Sequence, residues 1–253
     1  MLIAALGAAI YAPTLGFPFV WDDEVLLGDQ AVALRDLPAL FTRDYFQVTS
    51  ERTWRPLATL AYALLALPFG ASPWILRGAS VLLHLLNAWL VWRVARELLA
   101  DAPSRDAAAT VAGAWFVLHP MHVETVVQVT FNEDLLVTTA ALLALIAWRR
   151  GATGWCAAAF GAGLLSKESA LILPPLLLAH EMTIRRVPWR ASFALHAKAY
   201  AALLIVCGVY GLLRFGWFVN PAETGGAYIG GAVMPSLLTM GQALGRGLSL
   251  LLI

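Results

Sequence analysis

Asp22-Asp23-Glu24 places three acids where the first apolar run of this chain ends, after Gly16-Phe17-Pro18-Phe19-Val20-Trp21. Such a run ends more naturally in Lys, Arg, Trp or Tyr. Carboxylates at a membrane face can take a proton from a hydroxyl group or hold a cation. Adjacent side chains point in different directions, so one of Asp22 and Asp23 is expected to face a pocket. Three further polar clusters follow. They are Arg52-Thr53-Trp54-Arg55-Pro56-Leu57; His119-Pro120-Met121-His122-Val123-Glu124, continuing to Asn132-Glu133-Asp134; and Ser166-Lys167-Glu168-Ser169.

Each cluster has a chemical and a structural reading. Arg55 and Lys167 could hold a phosphate. Arg55 could equally anchor lipid headgroups, and Lys167 could pair with Glu168 to tie two helix ends together. Asp22 and Asp23 could be solvated acids at a helix end. His119, His122 and Glu124 could ligate a divalent metal. Pro120 breaks the helix between the histidines, and their spacing is three, not the four of a helical zinc motif. A hydrogen-bonding substrate site suits them better.

These residues must be positioned by apolar helices. The 253-residue chain is 60% hydrophobic and 13% charged, against roughly 25% charged in an ordinary soluble domain. A net charge of +1 gives no sign of a nucleic-acid partner. Cys156 and Cys207 lie inside apolar stretches and read as core residues. Hydropathy predicts spans near 2–20, 74–92, 107–118, 135–148, 154–165, 169–184 and 199–218, with an eighth from about 236. The first lacks the basic start of a signal peptide and reads as a retained span. The chain stops in mid-apolar run and is expected to be a piece of a longer polytopic protein.

Arg93, Arg96 and Arg105 follow the second predicted span. Arg149 and Arg150 follow the fourth; Arg185, Arg186, Arg190 and Lys198 follow the sixth. The acidic and histidine clusters fall between them. The positive-inside bias makes the arginine loops cytoplasmic and the acidic loops external. Leu57 to Phe69 is too short to cross at about 13 residues, so it is expected to be an interfacial or re-entrant helix. The first external loop then runs over 22–73. Asp36-Leu37-Pro38 and Thr42-Arg43-Asp44-Tyr45-Phe46 read as its turn and interfacial segments.

The order Val-Trp-Asp-Asp, Trp-Arg-Pro-Leu, Leu-His-Pro-Met-His-Val-Glu-Thr-Val, Asn-Glu-Asp-Leu-Leu, Leu-Ser-Lys-Glu-Ser resembles the membrane part of the TMTC-type O-mannosyltransferases and their bacterial relatives. That places the chain near the wider GT-C class, with the protein O-mannosyltransferases. The resemblance implies an all-α, polytopic transmembrane GT-C module over 1–253 with seven to eight spans. It implies a sugar donor on polyprenyl phosphate and a catalytic carboxylate in the first external loop, which carries over to Asp22 or Asp23. Lys167 and Arg55 would hold the donor phosphate. His119, His122, Glu124, Glu133, Asp134 and Glu168 would shape the substrate site. The acceptor would be a protein or lipid hydroxyl, the location a bacterial inner membrane with the site on its periplasmic face. Asn132-Glu133 stands where the TMTC pattern has Gly-Arg, a departure that bears on the choice of sugar or acceptor. The competing reading is a proton-coupled transporter or lipid flippase. It expects polar groups near the midplane and an inverted repeat, and the sequence displays neither.

Overall fold

The computed structural model describes residues 2–28, 41, 53–217 and 232–250. Its elements are helices, and no strand occurs among the described residues. The expected turn and interfacial segments at 36–38 and 42–46 lie outside the described residues, with the rest of 29–40 and 42–52 in the predicted first external loop. Two compact units separate at Phe218 and Val219.

Among its described residues the first unit contains ten α-helices. They are α1 (Leu2–Tyr11), α2 (Pro56–Phe69), α3 (Pro73–Leu98), α4 (Arg105–Leu118), α5 (Val123–Val127), α6 (Asn132–Arg149), α7 (Thr153–Ser166), α8 (Leu173–Thr183), α9 (Trp189–Leu195) and α10 (Ala197–Gly211). The second unit contains α11 (Val233–Leu250).

The predicted apolar runs are largely helical, because a backbone with no water to bond to must satisfy its own N–H and C=O groups. The exception is the run 2–20, which is α-helical only over Leu2–Tyr11, continues as a 3-10 turn over Ala12–Gly16 and is non-helical at 17–20. The described residues do not confirm the expected count of seven to eight spans. Among the described residues three segments are long and apolar enough to cross a membrane: Pro73–Leu98, Val129–Arg149 and Ala197–Gly216. Helices α4 and α7 have 14 residues each. That is about 21 Å of axis, short of a hydrocarbon core of about 30 Å. The run from 169 is divided into a 3-10 turn over Glu168–Ile172 and the 11 residues of α8, whose first turn holds Pro174 and Pro175. Leu57 to Phe69 is helical as expected, within α2.

Helix α3 is the hub, packed on α4 and α6; α1 leans on α4, and α7 lies between α6 and α10. The α3–α4 approach depends on Gly113. A Cβ there would sit 3.2 Å from the Ala88 carbonyl oxygen and 3.2 Å from Trp92 Cβ. The α6–α7 reversal depends on Gly151, at φ 67°. Its N–H bonds to the Trp148 carbonyl and the Ala152 N–H to that of Ala147, each at 2.9 Å, closing the helix end as a left-handed cap does. The largest core joins Trp54, Trp148, Phe160, Leu164, Leu177 and Leu203. Cys156 and Cys207 are free thiols, and Cys156 is buried in that core.

Candidate active site

A polar stripe on α3 organises one end of the bundle. Arg77, Ser80, His84 and Asn87 follow one another at helical spacing, and each is fully buried. The Arg77 guanidinium donates from Nε to the Val127 carbonyl at 2.8 Å. It donates from one terminal nitrogen to those of Thr14 and Phe17 at 3.1 and 2.5 Å, and from the other to that of Pro18 at 2.9 Å. One side chain thus satisfies carbonyls that the broken end of the first apolar run leaves open. Asn87 donates to the Leu135 carbonyl at 2.9 Å and accepts from the Thr139 hydroxyl at 2.6 Å.

The chain leaving that anchor reaches the acids. Trp21 has φ 51°, a backbone region unfavourable for a large side chain, and its ring is exposed. Asp22 is exposed and Asp23 is fully buried. The Asp23 carboxylate accepts the Val129 N–H at 3.1 Å on one oxygen and the Thr130 N–H at 2.8 Å on the other. The Tyr62 hydroxyl lies 3.1 Å from the carbonyl oxygens of the same two residues. The turn before α6 is therefore held through both its donors and its acceptors.

That turn leads directly into an ionic cluster. Glu133, with its side chain 3% exposed, accepts from one Arg55 nitrogen at 2.7 and 2.8 Å. Lys167 Nζ lies 3.0 Å from Glu133 and 2.7 Å from Asp134. Arg55 Nε lies 3.5 Å from Glu168. Residues from three separate places in the sequence thus form one network of two cations and three carboxylates. Lys167 pairs with Glu133 and Asp134, whereas sequence neighbours alone suggested Glu168. Arg55 and Lys167, expected to face a phosphate, are already engaged with carboxylates.

The histidines form a second group. His119 caps the turn Pro120–His122, accepting the Met121 N–H on Nδ1 at 3.3 Å. Its ring centroid lies 5.9 Å from that of His122, which lies 5.3 Å from that of His84 and 4.5 Å from that of Phe116. Burial first, then the neighbouring His84 and His119, push the His122 imidazolium down to about 4. His119 Nε2 and His84 Nδ1 are buried with no hydrogen-bond partner among the described residues, which leaves them able to bond a ligand hydroxyl. Glu124 is exposed on α5. Among the described residues no three His, Cys, Asp or Glu side chains are grouped to hold a metal ion. His119, His122 and Glu124 do not form such a group.

Sequence reasoning missed the stripe on α3 altogether. Its signal was available: four polar residues at 77, 80, 84 and 87 put one polar face on a helix otherwise fit for lipid.

A helical membrane protein with buried charge gathered at one helix-end face is the class that these features define. The chain belongs to the dolichyl-phosphate-mannose-protein mannosyltransferase family, whose model matches residues 54–210. It is 35% identical over 154 residues to protein O-mannosyl-transferase Tmtc1 of Drosophila melanogaster, covering 58% of this chain and 18% of that protein. Tmtc2 of the same organism is 33% identical over 192 residues, covering 68% of this chain and 20% of the relative. Human TMTC2 is 28% identical over 155 residues, with coverage of 58% and 18%. The chain spans about a fifth of the length of the curated relatives it matches. No solved structure matches it. These relatives lend no support to a transporter or flippase.

Proposed function

We propose that this chain is the membrane module of a protein mannosyltransferase. It moves a mannose-like sugar from polyprenyl phosphate to a hydroxyl group on a protein acceptor, at the external face of a bacterial inner membrane. Family membership carries the reaction class. The pair of acids carries the mechanism: Asp23 is bonded to the turn before Glu133, while Asp22 beside it stays exposed.

Asp22 is the base and Asp23 a positioning residue. The acceptor oxygen attacks the anomeric carbon, the bond from that carbon to the phosphate oxygen breaks, and the hydroxyl proton passes to the Asp22 carboxylate. One displacement inverts the anomeric centre. The departing phosphate gains charge, and a cation stabilises it in the transition state. An ammonium has three N–H donors. Lys167 spends two on Glu133 and Asp134, and the third is directed to the phosphate, with Arg55 supporting the same network. The unpartnered His119 Nε2 bonds a sugar hydroxyl. The prenyl chain lies in an apolar groove of about 200 Å³ between α7 and α10, lined by Leu164, Leu165, Ile205, Val206 and Tyr210. The Tyr210 ring lies 5.9 Å from that of Trp54, tilted by 33°, and Trp54 is next to Arg55 in the chain.

The test is sugar transfer from radiolabelled polyprenyl-phosphate mannose by the reconstituted protein, wild type against Asp22→Asn. A loss of about 10²- to 10⁴-fold is expected. Transfer at the wild-type rate would remove Asp22 from the mechanism, and flux of substrate without transfer would remove the transferase reading.

A further inference from the structure

The opposite end of the bundle holds a second polar site. A cavity of about 570 Å³ opens where the end of α3, the start of α4 and the end of α6 meet. Arg93, Arg96, Arg105, Arg149 and Arg150 line it, with Glu97. These guanidiniums share two carboxylates. Glu97 lies 3.6 Å from Arg93, 3.6 Å from Arg149 and 3.3 Å from Arg150; Asp106 lies 2.6 Å from Arg96 and 3.7 Å from Arg105. Five cations against two anions leave an excess of positive charge in a concave site. An anion is the ligand that such a cleft attracts.

Two further observations point to a lipid as the carrier of that anion. Arg93 sits over the ring of Trp89 at 5.6 Å, and Arg96 over that of Trp92 at 4.7 Å. Trp89 is 46% exposed. Tryptophan and arginine together mark the headgroup level of a bilayer. Beside the cleft runs an apolar groove of about 560 Å³ between α6 and α7, lined by Leu143, Ile146, Ala147, Ala158, Ala159 and again Arg150. Arg150 belongs to both. A free anion would use the cleft alone, whereas a phospholipid places its phosphate among the arginines and an acyl chain in the groove.

We propose that this cleft binds the phosphate headgroup of an anionic phospholipid, at the face of the membrane opposite to the proposed transfer site. Basic pockets between helix ends on the positive-inside face suit such headgroups. The site does not depend on the transferase reading, since none of its residues belongs to the acid, histidine or lysine clusters.

Thermal-shift and native mass-spectrometric titrations of the purified protein test it, with phosphatidylglycerol and cardiolipin against phosphatidylcholine. The wild type is expected to retain and be stabilised by the anionic lipids and not by phosphatidylcholine. Arg93→Gln with Arg150→Gln is expected to weaken anionic-lipid binding on the order of 30-fold. Arg190→Gln with Lys198→Gln removes equal charge from exposed positions outside the cleft and is expected to leave binding unchanged. Equal binding by the cleft variant and the wild type overturns the proposal, as does equal binding of phosphatidylcholine. Inorganic phosphate that displaces the lipid at equal concentration overturns the lipid as occupant. If the cleft variant fails to fold, wild-type salt dependence decides: binding unweakened by high salt overturns the proposal.

Discussion

Asp23→Asn isolates the anchor from the base. The wild-type carboxylate accepts one backbone N–H on each oxygen, at 3.1 and 2.8 Å, in a site closed to solvent. Asparagine keeps one acceptor and turns its NH₂ group toward the second N–H. One charge-assisted bond, about 1.5–3 kcal/mol, becomes an ordinary one or is lost, and an orphaned buried donor costs about 1–3 kcal/mol more. The sum is about 3–5 kcal/mol. For a chain of this size that is a fall of about 10 °C in the unfolding midpoint. Asp22→Asn changes an exposed side chain, so its midpoint should move by less than about 0.5 kcal/mol equivalent. Intrinsic fluorescence during thermal unfolding in lipid nanodiscs reads both. Equal midpoints for the two variants, or a lower one for Asp22→Asn, would refute the division of labour between base and anchor.

Arg77→Met should be more severe. It leaves four carbonyls without their donor and should destabilise by more than about 5 kcal/mol, read as the loss of a monodisperse peak in size-exclusion chromatography. Arg55→Met strands the buried Glu133 with one cation fewer and should cost about 3–5 kcal/mol. Adding Glu133→Leu should recover most of that loss in a double-mutant cycle, because the uncompensated charge is gone. His122 gives the fold a pH dependence of defined sign. Its proton leaves the folded state near 4 and the unfolded chain near 6.5, so the unfolded state binds more protons between those values. Stability contributed by neutral His122 should be full above about 6.5 and fall as pH drops toward 4. His122→Phe should flatten that limb of a midpoint-versus-pH curve.

The helices were legible because apolar runs in this chain are long and their interruptions are Pro, Gly or charge. Span number was less legible. Hydropathy locates an apolar run but not its length as one continuous helix, and the run from 169 is cut by Pro174 and Pro175 into a 3-10 turn and a short helix. In the candidate site, the residue types were readable and the pairings were not. Lys167-Glu168 looked like a pair because the two are adjacent. In three dimensions each turns to a partner on another element, Lys167 to Glu133 and Asp134, and Glu168 to Arg55. Asp22 and Asp23 were equivalent by sequence. Burial and two backbone bonds separate them, and those bonds come from residues more than a hundred positions away.

Two helices independently fix the distance between the polar sites. Arg77 and Arg93 lie on α3, and Glu133 and Arg149 on α6. Each pair is separated by about sixteen positions, or about 24 Å along a helix axis. That is most of the roughly 30 Å of a bilayer's hydrocarbon core, and α3 itself continues beyond both arginines. The acid-bearing face and the arginine-bearing face therefore suit opposite surfaces of one membrane, and the buried stripe on α3 lies between them. A lipid held in the arginine cleft touches no atom that reacts in the proposed transfer. It can act only by holding together the ends of α3, α4 and α6, the helices whose other ends place Arg77, His119 and Glu133. Its removal should lower the unfolding midpoint before it changes transfer by protein that remains folded.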